Sequence, residues 1–418
     1  MKRLDLDLVV IGGGPAGLAA ALKAKELGAE KVLLLERNTE LGGILQQCIH
    51  DGFGIHRFNK RLSGNQYAQL FIDEVERMDI AVKLDTMVLE ITADKKVYAC
   101  NKREGMLEIN SKALILAMGC RERTASQVLI HGERPAGVLT AGAVQRYINM
   151  EGYLPGSKAV ILGSGDIGLI MARRMTLEGL SVQGVYEVMP DPGGLTRNLV
   201  QCLDDFGIPL HLSTTVTAVH GRKRVEAVTV AQVNEAMSPV AGTERQVECD
   251  LLVLAVGLIP ENELSRAAGV EMDPRTGGPL LDENFMTSIP GIFAAGNVAV
   301  VFDLVDHVSQ SGEIAAAGAV DYLTGKPKGV ESYRPVRAGE NVSFVVPQRL
   351  NRECGLTTFF LRVKKPEKVA ALSCYTGQKQ IFKKRRRYLA PPEMLTFTAN
   401  ASGAKGITVA LEKEASRR

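Results

Sequence analysis

The hexapeptide Gly12-Gly13-Gly14-Pro15-Ala16-Gly17 decides the reading of this chain, because it recurs as Gly163-Ser164-Gly165-Asp166-Ile167-Gly168. Each copy is followed by one glycine (Gly28, Gly179), one acid (Glu36, Glu187) and a glycine pair (Gly42-Gly43, Gly193-Gly194), all at a constant offset of 151 positions. A lone G-x-G-x-x-G is a weak signal, whereas glycines and an acid held in a common register are a strong one. The apolar runs Leu6–Ile11 and Lys158–Leu162 lead into the two copies and read as buried parallel strands. In that setting the first glycine makes the tight turn, the second lets a pyrophosphate approach the backbone, and the third packs helix on strand. The N–H groups opening the next helix favour an anion, and Gly28 and Gly179 end those helices as left-handed caps. The following strands, Val32–Leu35 and Val182–Tyr186, end in Glu36 and Glu187, placed to accept hydrogen bonds from ribose hydroxyls. Two dinucleotides in one chain imply that an electron pair passes between them. The competing reading is two plain strand–turn–helix units, the second having kept its fold after losing its ligand.

Composition bounds the class. The 418 residues, 45% of them hydrophobic, suffice for two or three domains with full cores. A net charge of +3 gives no argument for nucleic acid. Met1-Lys2-Arg3 before an apolar stretch imitates a secretory signal, but that stretch contains the first fingerprint, so export is rejected. No run reaches the roughly 18 apolar residues of a membrane span. Seven scattered cysteines point to reduced thiols and a cytoplasmic setting. Neither a C-x-x-C pair nor a histidine pattern suggests a metal.

The expected fold class is α/β: two Rossmann-like dinucleotide-binding domains plus a small C-terminal β domain. The expected segments are 1–125 (first dinucleotide domain, first part), 126–275 (second dinucleotide domain), 276–330 (first dinucleotide domain, second part) and 335–418 (β domain). Ala113–Gly119 and Leu251–Gly257 read as buried strands stopping at a glycine, and Gly291–Asn297 as a third such passage. A helix is expected from about Ser309 to Leu323, stopped by Gly325. Beyond Tyr333 short β-leaning runs appear: Val342–Val346, Thr357–Leu361 and Gly406–Leu411. The basic run Lys383–Arg387 either steers an acidic partner or protects an edge strand from aggregation.

Residues 5–330 resemble the FAD/NAD(P)-dependent pyridine nucleotide-disulfide oxidoreductase superfamily. The resemblance implies FAD on the N-terminal fingerprint, so that 1–125 and 276–330 form the FAD-binding domain, and NAD(H) on the second, so that 126–275 is an NAD(H)-binding domain inserted in the first. The passage 291–297 resembles the family's second FAD motif, which ordinarily closes in Gly-Asp; here it closes in Gly296-Asn297, whose amide can still bond a hydroxyl. The flavin contacts implied are Gly12, Gly14, Pro15, Ala16, Gly17, Glu36, Arg37, Gly42, Gly43, Ala117, Gly119, Gly296, Asn297 and Gln310; those of the nicotinamide dinucleotide are Gly163, Gly165, Asp166, Ile167, Gly168, Glu187 and Gly257. The strings GGILQQCIHDGFGIHRF (42–58) and GCRERTASQVLIHGERPAGVLTAGAVQRYIN (119–149) resemble flavoprotein subunits of anaerobic-type glycerol-3-phosphate dehydrogenases and their kin: opine oxidases, hydrogen cyanide synthases and heteromeric proline dehydrogenases. That implies an oligomeric assembly with a partner dehydrogenase or electron-acceptor protein subunit.

The disulfide reductases of the superfamily carry Cys-x4-Cys after the glycine pair; those slots here are Leu45 and His50, so dithiol chemistry is not expected. Cys48 lies between them and is the candidate for sulfenate or mixed-disulfide chemistry, with a buried inert thiol as the competing reading. His50 and His56 are candidate proton donors. Glu187 welcomes a 2′-hydroxyl and repels a 2′-phosphate, and Val188-Met189-Pro190 supplies no arginine, so NAD(H) is expected over NADP(H). Ser309–Gly312 would face the flavin pyrimidine; Asp303, Asp306 and His307 are read as preceding that helix, as acid–base candidates or ordinary loop residues. Three functions compete: an FAD-dependent NADH:acceptor subunit of a multi-component dehydrogenase, an NADH oxidase or peroxide reductase using Cys48, and a non-catalytic FAD-binding assembly subunit.

Overall fold

The computed structural model describes residues 1–325, 333–351 and 354–413; positions 326–330 of the third expected segment, and 352–353 and 414–418 of the fourth, lie outside the described residues. The chain forms two compact units, Met1–Cys120 with Pro260–Arg418, and Arg121–Ile259. Each contains a parallel sheet whose strand order reverses once, so the expected α/β class with an inserted second Rossmann-like half is what forms.

In the first unit the parallel strands run Ala81–Lys83, Val32–Leu35, Lys2–Ile11, Gly105–Leu116, Ile292–Ala294. The helices Pro15–Glu26, Gly64–Arg77 and Val305–Leu323 pack together on the sheet, and Leu8–Ile11, Val32–Leu35 and Ala113–Leu116 are buried on both faces, which is why these runs read as apolar throughout. The Gly105–Leu116 strand is long enough to hold two neighbours on one side. Its last residues pair with Ile292–Ala294, while its first half continues an antiparallel ribbon of Met87–Ile91 and Lys96–Asn101. Strand order reverses between Lys2–Ile11 and Gly105–Leu116, and ligands of open α/β sheets bind at the carboxyl end of such a switch point. The first fingerprint sits there.

The second unit repeats the plan: Val138–Thr140, Leu251–Leu254, Lys158–Leu162, Ser181–Tyr186, Leu210–His211, with the switch between Lys158–Leu162 and Leu251–Leu254. It also carries a four-stranded sheet of His131–Gly132, Thr214–His220, Ala227–Gln232 and Arg245–Glu248, which closes a second core against Val160, Leu162 and Leu254.

The C-terminal β domain pairs a five-stranded with a three-stranded sheet around Val342, Phe359, Leu361, Leu372, Phe397 and Leu411. Its strand Leu356–Val363 is buried on both faces: Phe359 and Leu361 point into this core, and Phe360 joins the core of the flanking Rossmann-like sheet with Phe344, Val346 and Met394. The basic run lies in Lys379–Leu389, the edge strand of the larger sheet.

Candidate dinucleotide sites

The two fingerprints close by the same contacts. Gly12 and Gly163 have φ of +106° and +102°, and a Cβ on either would fall inside 3.0 Å of a backbone carbonyl oxygen, Ala117 O or Ala255 O. Those alanines end the strands across the switch point, so the first glycine serves both the turn and the strand packing. A Cβ on Gly17 or Gly168 would collide with Gly12 O or Gly163 O, which forces the helix close under its strand. At the middle position the reverse holds: a Cβ on Gly14 or Gly165 would meet nothing within 4 Å. That open side is where a pyrophosphate needs access to the backbone.

Gly14 and Gly165 are also the N-caps of the helices Pro15–Glu26 and Asp166–Leu177, and neither cap makes a side-chain hydrogen bond. The first-turn N–H groups are therefore left without a capping side chain, as an anion site at a helix start requires. Open second glycine and uncapped helix start together fit a dinucleotide in both units. The helices end at Gly28 and Gly179 with φ of +95° and +93°.

Glu36 and Glu187 are buried and their carboxylates are already engaged by the chain. Glu36 accepts from Gly13 N (2.7 Å) on Oε2 and from Asn38 N (2.8 Å) on Oε1. Glu187 accepts from Ser164 N (2.8 Å) and Ser164 Oγ (2.6 Å) on Oε2, and from Met189 N (3.0 Å) on Oε1. Each acid thus ties its strand end to the fingerprint turn and keeps only its remaining lone pairs for a ribose. The tail of the second motif differs from the first. Gly42 and Gly43 are left-handed, and Gly42 N donates to Gly13 O (2.8 Å). Gly193 is fastened by its N–H to Ser164 Oγ (2.8 Å), and Asp166 Oδ1 holds Leu195 N (2.9 Å) and Asn198 Nδ2 (2.6 Å). Asp166 therefore braces this loop; Ile167 is half-buried beside it and Gly257 has φ +101°.

Around the first fingerprint the structure gathers the late chain. The last long helix is Val305–Leu323, starting four residues before the expected Ser309, so Asp306 and His307 lie in its first turn and only Asp303 precedes it. Gly312 packs against Ala16 O, Gly296 against the Ala16 side chain, and Gly296 N donates to Ser311 Oγ (2.8 Å). Asn297 accepts from Phe302 N (3.0 Å) and donates to Cys120 Sγ (3.5 Å), fixing the loop that leads to this helix. Gln310 is half-buried one residue before that contact, Gly119 is left-handed at φ +74°, and Arg37 is exposed.

The remaining candidates are held in other ways. Cys48 is buried, donates to Ile44 O (3.3 Å), and burial pushes its thiol up to about 12. The thiolate is the nucleophile, and burial disfavours that form at this position. His50 packs on Phe53 at a ring separation of 5.1 Å, and His56 is exposed, its backbone N–H held by Asp306 (3.1 Å). Asp303 accepts from Met394 N (2.9 Å), and His307 Nδ1 lies 3.7 Å from its other oxygen, between the rings of Phe302 and Phe360. Sequence reasoning passed over Ser164 as a site residue. Its signal was a serine in the fingerprint slot that the first copy fills with Gly13.

A paired nucleotide fold with both turns built for pyrophosphate defines a two-dinucleotide protein. The chain belongs to the pyridine nucleotide-disulphide oxidoreductase family, whose model matches residues 6–312; the family binds FAD and NAD(P)H. It is 27% identical to an opine oxidase subunit of Agrobacterium tumefaciens, over 75% of this chain and 65% of that protein. It is also 27% identical to the hydrogen cyanide synthase subunit HcnB of Pseudomonas protegens, over 64% and 60% of the two chains. The chain thus spans somewhat less than two thirds of the length of these curated relatives. Over 76% of its length the fold is similar to that of a thioredoxin reductase of T. acidophilum, 98% of which is covered, with a TM-score of 0.62 and 24% identity.

Proposed function

We propose that the chain is the FAD- and NAD(H)-binding subunit of a multi-component dehydrogenase. It exchanges electrons between NAD(H) and a partner subunit in the cytoplasm, in an oligomeric assembly, and glycerol 3-phosphate is the partner's substrate. The observation that carries this reading is the doubled site, two turns with the same clashes, the same open glycine and the same anchored acid. Both relatives are named as subunits of larger enzymes, which supports a multi-component setting, and strings 42–58 and 119–149 support the glycerol 3-phosphate reading. Seven thiols, none in a disulfide, support a reducing compartment. Among the described residues no helix is long and apolar enough to cross a membrane.

Flavin, when bound, supplies hydride exchange with the nicotinamide. The chain's own part is to bind and orient. Gly14 and Gly165 with the helix starts they cap receive the phosphates, and Glu36 and Glu187 receive the ribose hydroxyls. The start of Val305–Leu323, also without a side-chain cap, offers N–H groups that favour negative charge. Leu45 and His50 at the redox-disulfide slots, and a Cys48 thiol pushed up to about 12, speak against disulfide or peroxide reduction. Anaerobic titration of the purified flavoprotein tests the reading. NADH is expected to bleach the flavin, and glycerol 3-phosphate to do so only once the companion subunit is added. A flavin left oxidised by excess NADH would sink the proposal.

A further inference from the structure

We infer that Ser164 is a specificity-determining residue: its hydroxyl locks the Glu187 carboxylate in place and so sets the preference for NAD(H) over NADP(H). The inference rests on the second fingerprint being a nicotinamide dinucleotide site, as proposed above. Its ground is a slot that the two fingerprints fill differently, Gly13 in one and Ser164 in the other. In the first copy the slot is Gly13, and a Cβ there would collide with Leu41 and crowd Glu36. In the second copy the loop that follows leaves room for a side chain, and Ser164 fills it with no solvent exposure.

The serine makes three hydrogen bonds in that space. Its Oγ donates to Glu187 Oε2 (2.6 Å) and accepts from Gly193 N (2.8 Å), while its backbone N–H donates to the same Oε2 (2.8 Å). With Met189 N on Oε1 (3.0 Å), Glu187 has both oxygens tied among the described residues. A carboxylate has about four lone-pair sites, so Glu187 keeps about one where Glu36, with one donor on each oxygen, keeps about two. A carboxylate held by one donor per oxygen can rotate or withdraw when an anion arrives. One held on Oε2 by both the N–H and the hydroxyl of Ser164, and on Oε1 by Met189 N, cannot move without breaking three bonds, and Gly193 N–H fixes that hydroxyl in turn. A ribose 2′-hydroxyl needs only the one outward lone pair. A 2′-phosphate meets a negative charge that cannot turn aside, and Val188-Met189-Pro190 brings no cation to offset it.

Calorimetric titration of the intact flavoprotein with NAD+ and with NADP+ tests this without turnover. In Ser164→Ala and in Ser164→Gly, the latter reproducing the first fingerprint, the ratio of the NADP+ to the NAD+ dissociation constant is expected to fall about tenfold, the size of a hydrogen bond to a charged group. Flavin absorbance, which reports the other unit, is expected to stay as in the parent. In a Glu187→Gln background, Ser164→Ala is expected to leave the ratio unchanged, because the charge that the lock immobilises is gone. An unchanged ratio in both single variants, with NAD+ still bound by the parent, overturns the role of Ser164 and leaves the proposed function standing. A parent protein that does not bind NAD+ overturns both.

Discussion

Gly17 and Gly168 occupy the same slot in two units, so one substitution made in each separates the two nucleotides. A Cβ at either position lands on the carbonyl oxygen of the fingerprint's first glycine, and relieving that overlap costs on the order of 1–3 kcal/mol locally. Gly17→Ala is expected to yield protein without flavin colour. Gly168→Ala is expected to keep the colour and lose NAD+ binding, read by absorbance and calorimetry on the same preparations. At this scale the glycines were legible in the sequence because sterics alone dictate them. The side-chain partners were not. Asp166 bonds Leu195 N and Asn198 Nδ2, and Ser164 bonds Gly193 N. These donors lie about thirty residues away, brought near by a loop whose path no local pattern states. Asn297 likewise spends its amide on Phe302 N and Cys120, which a motif match to Gly-Asp could not foresee.

The Pro15–Glu26 helix is alanine-rich and buried nearly all round because a second helix lies directly on it. Val305–Leu323 presents Gly312, Ala315, Ala316 and Ala319 to that contact, and Gly312 sits so close that a methyl would strike Ala16 O. Gly312→Ala is therefore expected to push the helices apart at the fingerprint's helix start, lowering thermal stability by about 1–3 kcal/mol and weakening FAD retention on dialysis. The strands Val32–Leu35, Lys158–Leu162 and Val342–Val346 match the sequence expectation residue for residue, since each is a short apolar run with clear breakers. Val305–Leu323 starts earlier than the sequence implies because Leu304 occupies the N-cap without a side-chain bond, so the capping position itself carries no Ser, Thr, Asp or Asn. The Met87–Asn101 ribbon and the four-stranded sheet escaped notice for a different reason. Their outer faces carry mixed polar residues, and antiparallel strands of that kind blur into loops.

At the scale of the molecule, the C-terminal β domain is fastened to its neighbouring sheet by a buried polar seam as well as by Phe360. Asp282 is fully buried; it accepts from Asn284 N (2.9 Å), Met286 N (3.0 Å) and Asn351 Nδ2 (3.0 Å), and desolvation with the adjacent Glu283 pushes its carboxyl up to about 7. A folded value above the unfolded one near 3.8 means the folded state holds the proton more tightly. This contribution to stability is full below pH 4, declines as pH rises from 4 to 7, and is absent above. It amounts to a few kcal/mol, at about 1.4 kcal/mol per unit. Denaturant melts of Asp282→Asn are expected to lose that slope between pH 4 and 7, so that the variant gains on the parent as pH rises. Composition and the late β-leaning runs made the β domain legible, but its seam was not, because Asp282 and Asn351 stand 69 positions apart. The seven-stranded ladder of the first unit takes no strand from Arg121–Ile259, and where the chain departs and returns, Glu261 N donates to Gly119 O at 3.0 Å. The excursion thus leaves and re-enters the first unit beside that bond, and recombination there would swap in a different module without unpicking a rung of the host sheet.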